Sequence, residues 1–494
     1  MSENKETKAK RDLILDIDGY AAGLTMNRTT YAYLLAALAC MVIFPLIGTS
    51  IGLPSAKAGF VLGLTLATVI LWISNLFNIS YPLMFFIAIG LVCKLFEFKD
   101  LQSAMGSSQF LMMFGMFMVA QGAEQTPIAK RVAYFFLWKF GKNQAMMLLA
   151  IYLASAILSV FCSNLASTVV MAAICIGIVR ELEAVDPESR KTFGKATMLM
   201  IPLGAMTGGL ALISSSPGMN ALGVTTLAAA SNGAADLSYT RWATVGIPSA
   251  ILCALPTWYI YKRVFKVPNT GAAVDPEMFH EEFKKLGKIG GSELRWVIIV
   301  FSMVGAMIAG VPSGVASLTA AACAISPYIG CMEGRKAIKR ISMDMFFMMG
   351  VAAILATAFA NYGIGDWLAG IFAPMLKGLS PLAIMFICAF IMFVMNSLFA
   401  NATFGIISIL ITVFTPIVTQ LGMNPVIVLL PCIFLGACTN VVGVQQNMFL
   451  TYEYGYWDMK DPLLPGILTN LVWIVIITLL AYFIGPRAGM PLYL

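Results

Sequence analysis

FCSNLASTVV, residues 161–170, places a serine, an asparagine and two further hydroxyls between long apolar runs. MMLLAIYLASAILSVFC (146–162) leads into it and VVMAAICIGIV (169–179) follows. The rest of the chain is as apolar as these flanks: 60% of its 494 residues are hydrophobic and 11% are charged. A soluble domain cannot hide that much apolar surface, so the composition reads as an all-α polytopic membrane protein. The formal charge of +7 does not point to nucleic acid, because the basic residues sit in short loops between apolar runs. The ten cysteines form no C-x-x-C pair and read as small buried hydrophobes. His280 is the only histidine, so a histidine-based metal centre or catalytic site has no residues to build it, and the chain does not read as an enzyme. No resident cofactor is expected.

Threading the apolar runs gives spans near 31–53, 57–77, 79–97 and 106–124, then an interfacial amphipathic segment at 127–142. Runs 145–161 and 165–180 meet at Ser163-Asn164, a broken run covers 196–231, and a span covers 243–265. The second half repeats this plan. It has spans at 295–311, 313–331 and 342–360, an amphipathic piece at 364–377, two runs (381–397 and 403–421) meeting near Asn401, a broken run at 425–455 and a last span at 463–485. If the paired runs are re-entrant hairpins, 25 of the 31 Lys and Arg fall on the cytoplasmic side. Lys57, Lys94, Lys99, Arg241, Lys377 and Arg487 fall outside. If each pair instead carried the chain across once, the middle of the chain would invert and most of that bias would vanish. The expected organisation is a cytoplasmic tail (1–30), a first span (31–53), a repeat (54–265) with a cytoplasmic-side hairpin at 145–180, a cytoplasmic linker (266–294), and a second repeat (295–494) with an outside hairpin at 381–421. That makes about eleven spans plus two hairpins in an inverted-topology repeat, with the N-terminus inside and the C-terminus outside an inner or plasma membrane. Such repeats mark secondary transporters.

Four polar segments interrupt the apolar runs: LSVFCSNLAST (158–168), GAMTGGLALISSSPGMNAL (204–222), MNSLFANATFG (395–405) and LGACTNVVGVQQNMF (435–449). Asn164 precedes Asn220 by 56 residues and Asn401 precedes Asn447 by 46, the order that a duplicated site predicts. Unwound backbone at membrane depth is tolerated where protein buries it or where it lines a wet cavity. There, free carbonyls and Ser, Thr and Asn oxygens can coordinate a dehydrated Na+, and helix N-termini can face an anion. The segments contain no Lys or Arg. Dipoles, polar side chains and co-bound cations must therefore meet a substrate's negative charge. One such segment alone reads equally well as polar glue between helices; four in register favour a site. No intramembrane chain of Asp, Glu and His is visible, which argues against a proton pump.

WISNLFNISYPLMFF (72–86), FGMFMVAQGAEQTPIAKRVAYFFL (114–137) and the polar segments resemble the divalent anion:sodium symporter family of citrate, dicarboxylate and sulfate carriers. The resemblance runs from about residue 57 to near the end. Each family hairpin carries a Ser-Asn-Thr motif paired with a later Thr-Pro-Pro-Asn-like break. Here Ser163 and Asn164 match while Leu165 replaces Thr, and Asn401 matches between Ala400 and Ala402. Pro217 and Asn220 match in the first break; in the second, Asn447 matches and Gln445 and Gln446 replace the prolines. The resemblance implies a substrate set of Ser163, Asn164, Thr168, Pro217, Asn401, Thr403 and Gln446. It implies a Na+ set of Ser159, Ser163, Asn164, Gly208, Asn220, Asn396, Asn401 and Asn447.

The expected function is secondary transport of small organic anions, di- or tricarboxylates such as citrate, by Na+ symport or carboxylate exchange. The resemblance implies elevator-type movement in a homodimer. A carrier of a monocarboxylate, sulfate or inorganic oxyanion, a cation antiporter, and a scaffold that no longer transports are the alternatives.

Overall fold

A computed structural model describes residues 16–17, 20–21, 28–74, 80–235, 237–269, 275–339, 341, 343–399, 402–439, 441 and 445–494. Their regular structure is helical, joined by turns and loops, apart from a short antiparallel ladder of β1 (Asp16–Ile17) with β2 (Tyr20–Ala21). The chain divides into two compact units, Met1–Leu95 and Phe96–Leu494. The first holds α1 (Arg28–Ile47), α2 (Ala56–Ser74) and α3 (Ser80–Val92). Gly59 and Gly63 bring α2 onto α1, where an added Cβ would meet the carbonyls of Phe44 and Cys40.

The second unit opens with α4 (Phe98–Met105), α5 (Ser108–Gln125), α6 (Ile128–Phe140), α7 (Gln144–Phe161), α8 (Asn164–Val185) and α9 (Phe193–Gly209). It continues with α10 (Pro217–Ala230), α11 (Tyr239–Val264), α12 (Pro276–Lys285), α13 (Gly291–Ile308), α14 (Ser313–Ile325) and α15 (Gly334–Lys339). Then come α16 (Met343–Asn361), α17 (Ile364–Leu376), α18 (Pro381–Leu398), α19 (Thr403–Gln420), α20 (Pro425–Val428), α21 (Leu430–Cys438), α22 (Gln446–Tyr452) and α23 (Leu463–Ile484). One element order occurs twice, from α5 to α11 and from α16 to α23. Each run has a long helix, a shorter helix, a helical hairpin, an interrupted helix and a closing helix.

Local chemistry explains where these helices begin. Asn143 caps α7 by accepting from Met146 N at 2.8 Å, and Ser107 and Ser238 do the same for α5 and α11. Ser380 caps α18, with Pro381 at its first position. Length and apolarity single out eight described helices able to cross a membrane, or nine if α4 and α5, bent by 45°, form one span. All four hairpin arms are among the eight. Their 18 to 22 residues, at about 1.5 Å each, reach roughly 27–33 Å, close to the bilayer core. Several expected spans (79–97, 313–331 and both broken runs) contain helices of fewer than 18 residues, because turns or breaks end them early. Helix length therefore does not yield the expected count of eleven.

The core of the second unit is built on α9 and α21. Every described residue of α21 is buried, and so is nearly all of α9. Lipid is as apolar as leucine, so close packing and hydrogen bonds, not apolar burial, must hold helices together. On α9, Gly204 and Gly208 lie one turn apart against α7. An added Cβ would lie 2.6 Å from the Tyr152 carbonyl oxygen and 1.9 Å from that of Ala156, respectively. The Tyr152 hydroxyl meets the Thr207 hydroxyl at 2.5 Å on the same contact. Elsewhere, Arg131 of α6 forms a buried two-pronged pair with Glu293 of α13, at 3.1 and 3.0 Å, and also donates to the carbonyls of Gly287 and Leu286.

Candidate functional site

The tip of the first hairpin is two residues long. Cys162 and Ser163 are extended, and the Ser163 hydroxyl caps α8 by accepting from Ala166 N at 3.1 Å. Asn164, the first residue of α8, is buried. Its amide oxygen accepts from the buried Ser159 hydroxyl at 2.6 Å. Its amide also covers Gly209 at the end of α9, where an added Cβ would lie 2.9 Å from the Asn164 Oδ1. Thr168 turns its hydroxyl back to the Asn164 carbonyl at 2.8 Å. Ser155 and Ser167 lock the arms below the tip: Ser167 donates to the Ser155 carbonyl at 2.7 Å, and Ser155 to the Ile201 carbonyl at 2.6 Å.

The first interrupted helix breaks between Gly209 and Pro217, which begins α10 buried at its first position. The Asn220 amide nitrogen donates to the Gly209 carbonyl at 2.8 Å and to the Leu212 carbonyl at 3.0 Å. That spends both N–H groups. The Asn220 Oδ1 is fully buried and has no hydrogen-bond partner among the described residues. Ser215 ties the break to the hairpin tip, donating to the Val160 carbonyl at 3.0 Å, and Trp242 of α11 donates to the Leu210 carbonyl at 2.9 Å.

The second half repeats the motif with different letters. Asn396 stands five residues before Asn401, as Ser159 stands five before Asn164. Asn401 itself lies outside the described residues. The Asn396 amide nitrogen donates to the Gly436 carbonyl of α21 at 2.9 Å, and its oxygen is buried without a partner among the described residues. Thr403 is buried at the start of α19. In the second break the Gln445 amide donates to the Thr439 carbonyl, and Asn447 is half-buried in α22. The side chain of Gln446 lies outside the described residues.

Contacts join the four segments. An added Cβ on Gly218 would lie 2.8 Å from Met345 Sδ of α16 and 3.6 Å from Phe404 beside the second tip, so the first break abuts the second hairpin. The Cys438 thiol donates to the Met206 carbonyl at 3.1 Å, linking α21 to α9, and α22 packs on α8 and α9. The site so assembled is uncharged and rich in carbonyl, amide and hydroxyl oxygens. Residues 28–487 match the family described as the sodium:sulfate symporter transmembrane region.

The chain belongs to that family.

It is thus a multi-pass membrane transporter of the divalent anion:sodium symporter kind. Among its relatives, it is 22% identical over 459 residues to the sodium-dependent dicarboxylate transporter SdcS of Staphylococcus saprophyticus, covering 87% of each chain. It is also 22% identical over 456 residues to SdcS of Staphylococcus aureus strain MRSA252, covering 87% of this chain and 86% of that one. Its fold is similar to the YdaH transporter of Alcanivorax borkumensis, with a TM-score of 0.55, 13% identity, and coverage of 95% and 100%. MtrF of Neisseria gonorrhoeae gives a TM-score of 0.52 at 13% identity, covering 82% of this chain and 86% of its own.

Against this family background the structure adds site residues that sequence reasoning passed over. Ser215, Ser155 and Ser167 cross-brace the first tip, and Cys438, read from sequence as a filler, donates a hydrogen bond between the halves. Ser215 was findable, since it lies in the quoted break. Nothing in the local sequence marks Cys438.

Proposed function

We propose that the chain imports small dicarboxylates or tricarboxylates, driven by co-bound Na+. The observation that carries this reading is the pair of buried amide oxygens on Asn220 and Asn396. In each, the nitrogen is anchored to a carbonyl of an interrupted helix, which leaves the oxygen facing away from its only described bonds. A buried amide oxygen with no donor costs about 1–3 kcal/mol, which a dehydrated Na+ would recover. Three helices of 22, 14 and 18 residues (α8, α10 and α19) start at these polar segments. At roughly half a positive charge per N-terminus they offer about +1.5, close to what a dianion needs before any Na+ is counted.

The reading extends to the whole cycle. Ser159, Asn164, Gly208 and Asn220 would form one cation site; Asn396, Asn401 and Asn447 would contribute to a second. Substrate would sit between the two tips, near Ser163, Thr168, Pro217, Thr403 and Gln446. The hairpins and interrupted helices would move against the remaining helices in an elevator-type step, within a homodimer of the cytoplasmic membrane. Exchange of one carboxylate for another is the same cycle run without net ion flow. Sulfate is the second reading, favoured by the family's own description and by the small, hydroxyl-poor second tip (Ala402).

The test is uptake of radiolabelled succinate, citrate and sulfate into proteoliposomes with an inward Na+ or K+ gradient. Carboxylate uptake requiring Na+ is expected. Asn164→Ala and Asn401→Ala should abolish it, and Asn220→Ala and Asn396→Ala should raise the Na+ concentration for half-maximal uptake at least tenfold. Carboxylate uptake indifferent to Na+, or unchanged in all four variants, would sink the assignment.

A further inference from the structure

A cavity of about 550 Å³ lies away from the asparagine-bearing segments, where α10, α16 and α19 end and α17 and α20 begin. Asn232, Asp366 and Gln420 line its polar side; Phe359, Ala360 and Pro416 line its apolar side. That volume is typical of a pocket for a small organic molecule. Among the described residues Asp366 is the one lining side chain with a formal charge, and it is exposed; no lysine, arginine or histidine faces it. The backbone adds to this sign. Three helix C-termini, at Ala230, Asn361 and Gln420, bring roughly half a negative charge each, against two N-termini of comparable size at Ile364 and Pro425. Asp366 also complements the N-terminus at Ile364; the two N-termini together offset about one charge, which Asp366 and the three C-termini outweigh, so the cavity stays negative. An anionic substrate is repelled here.

We propose that this cavity binds a small organic cation, an ammonium group carried on an apolar body. The ammonium faces Asp366 and the helix C-termini, and the body lies against Phe359 and Pro416. Bound there, the ligand spans α16–α17 on one side and α10 and α19 on the other. If the hairpin α18–α19 moves during transport, the ligand stops it. The binding stands without the transport reading; the inhibition rests on it.

The experiment uses full-length protein in detergent with Cys40, Cys93, Cys323 and Cys331 changed to Ser, carrying either Ala360→Cys or Gln420→Cys. Two positions keep the test usable if one variant fails to fold. Each is labelled with trimethylammonium-ethyl and sulfonato-ethyl methanethiosulfonate, and the rate ratio is normalised to free cysteine. The expected preference for the cationic reagent is roughly tenfold above that of free cysteine. Benzyltrimethylammonium should slow labelling, equimolar NaCl should not, Asp366→Asn should remove both effects and Asp366→Glu should keep them. A ratio equal to that of free cysteine, equal protection by NaCl, or effects surviving Asp366→Asn overturn the proposal. Protection without inhibition of uptake would leave the binding site standing and remove the moving-hairpin reading.

Discussion

Gly208 shows how little room the site leaves a side chain. Its position against Ala156 puts any added carbon 1.9 Å from a backbone oxygen, and backbone cannot swing aside as a side-chain end can. Gly208→Ala should therefore lower the melting temperature of the purified protein and abolish uptake, read by circular dichroism and by proteoliposome flux. A melting temperature equal to that of the unsubstituted protein would show that α7 and α9 separate at no cost. The residue was legible as a member of the first polar break, but as a backbone cation ligand. Its packing role depends on Ala156, more than fifty positions earlier. Asn220 was likewise legible by type and place. Which end of its amide is spent was not, because the Gly209 and Leu212 carbonyls are exposed to it only once the helix has broken and turned back.

At the scale of elements, the amphipathic segment 127–142 was readable as a helix too basic to span, from Lys130, Arg131, Lys139 and Lys142, and α6 (Ile128–Phe140) forms within it. What Arg131 does was not readable, since its partner Glu293 is 162 positions away. Breaking a buried pair by removing one partner strands the other charge, at about 3–5 kcal/mol. Glu293→Gln should thus destabilise the protein by that order in thermal unfolding. Arg131→Leu combined with Glu293→Leu should cost less than either single change; a strictly additive loss would count against a coupled buried pair. The hairpins follow a similar rule. Their arms and tips were legible to within a few residues, because Asn143, Ser163 and Ser380 cap locally. Whether an arm crosses the bilayer was not legible from helix length, since 18 to 22 residues can span it.

For the whole molecule, the hairpin reading makes a prediction about sides. Lys142→Cys and Arg190→Cys flank the first hairpin, and Lys377→Cys and Gln420→Cys flank the second. With native exposed cysteines removed, an impermeant maleimide should reach the first pair only in inside-out vesicles and the second pair only in right-side-out vesicles. Labelling of the two members of a pair from opposite sides would mean an odd number of crossings between them and would end the inverted-repeat proposal. Two hydrogen-bonded junctions would travel with the first hairpin: Glu183 and Arg190 with Tyr456 and Gly455, and Lys195 with Asp461 at 2.8 Å. They join it to the loop that follows α22, so the two asparagine-bearing halves are linked at their ends as well as at their breaks.

Membrane residence, helical class, the duplicated order of elements and the four polar interruptions could all be read from the chain alone. They rest on local properties: apolar content, helix caps, and the rule that lipid-exposed backbone must bond within its own segment. Only the tertiary structure decided which polar groups meet. Asn220 with Gly209, Asn396 with Gly436 and Cys438 with Met206 are separated by 11, 40 and 232 positions. Such pairs depend on how closely helices approach and where each one breaks, and that is a property of packing, not of composition.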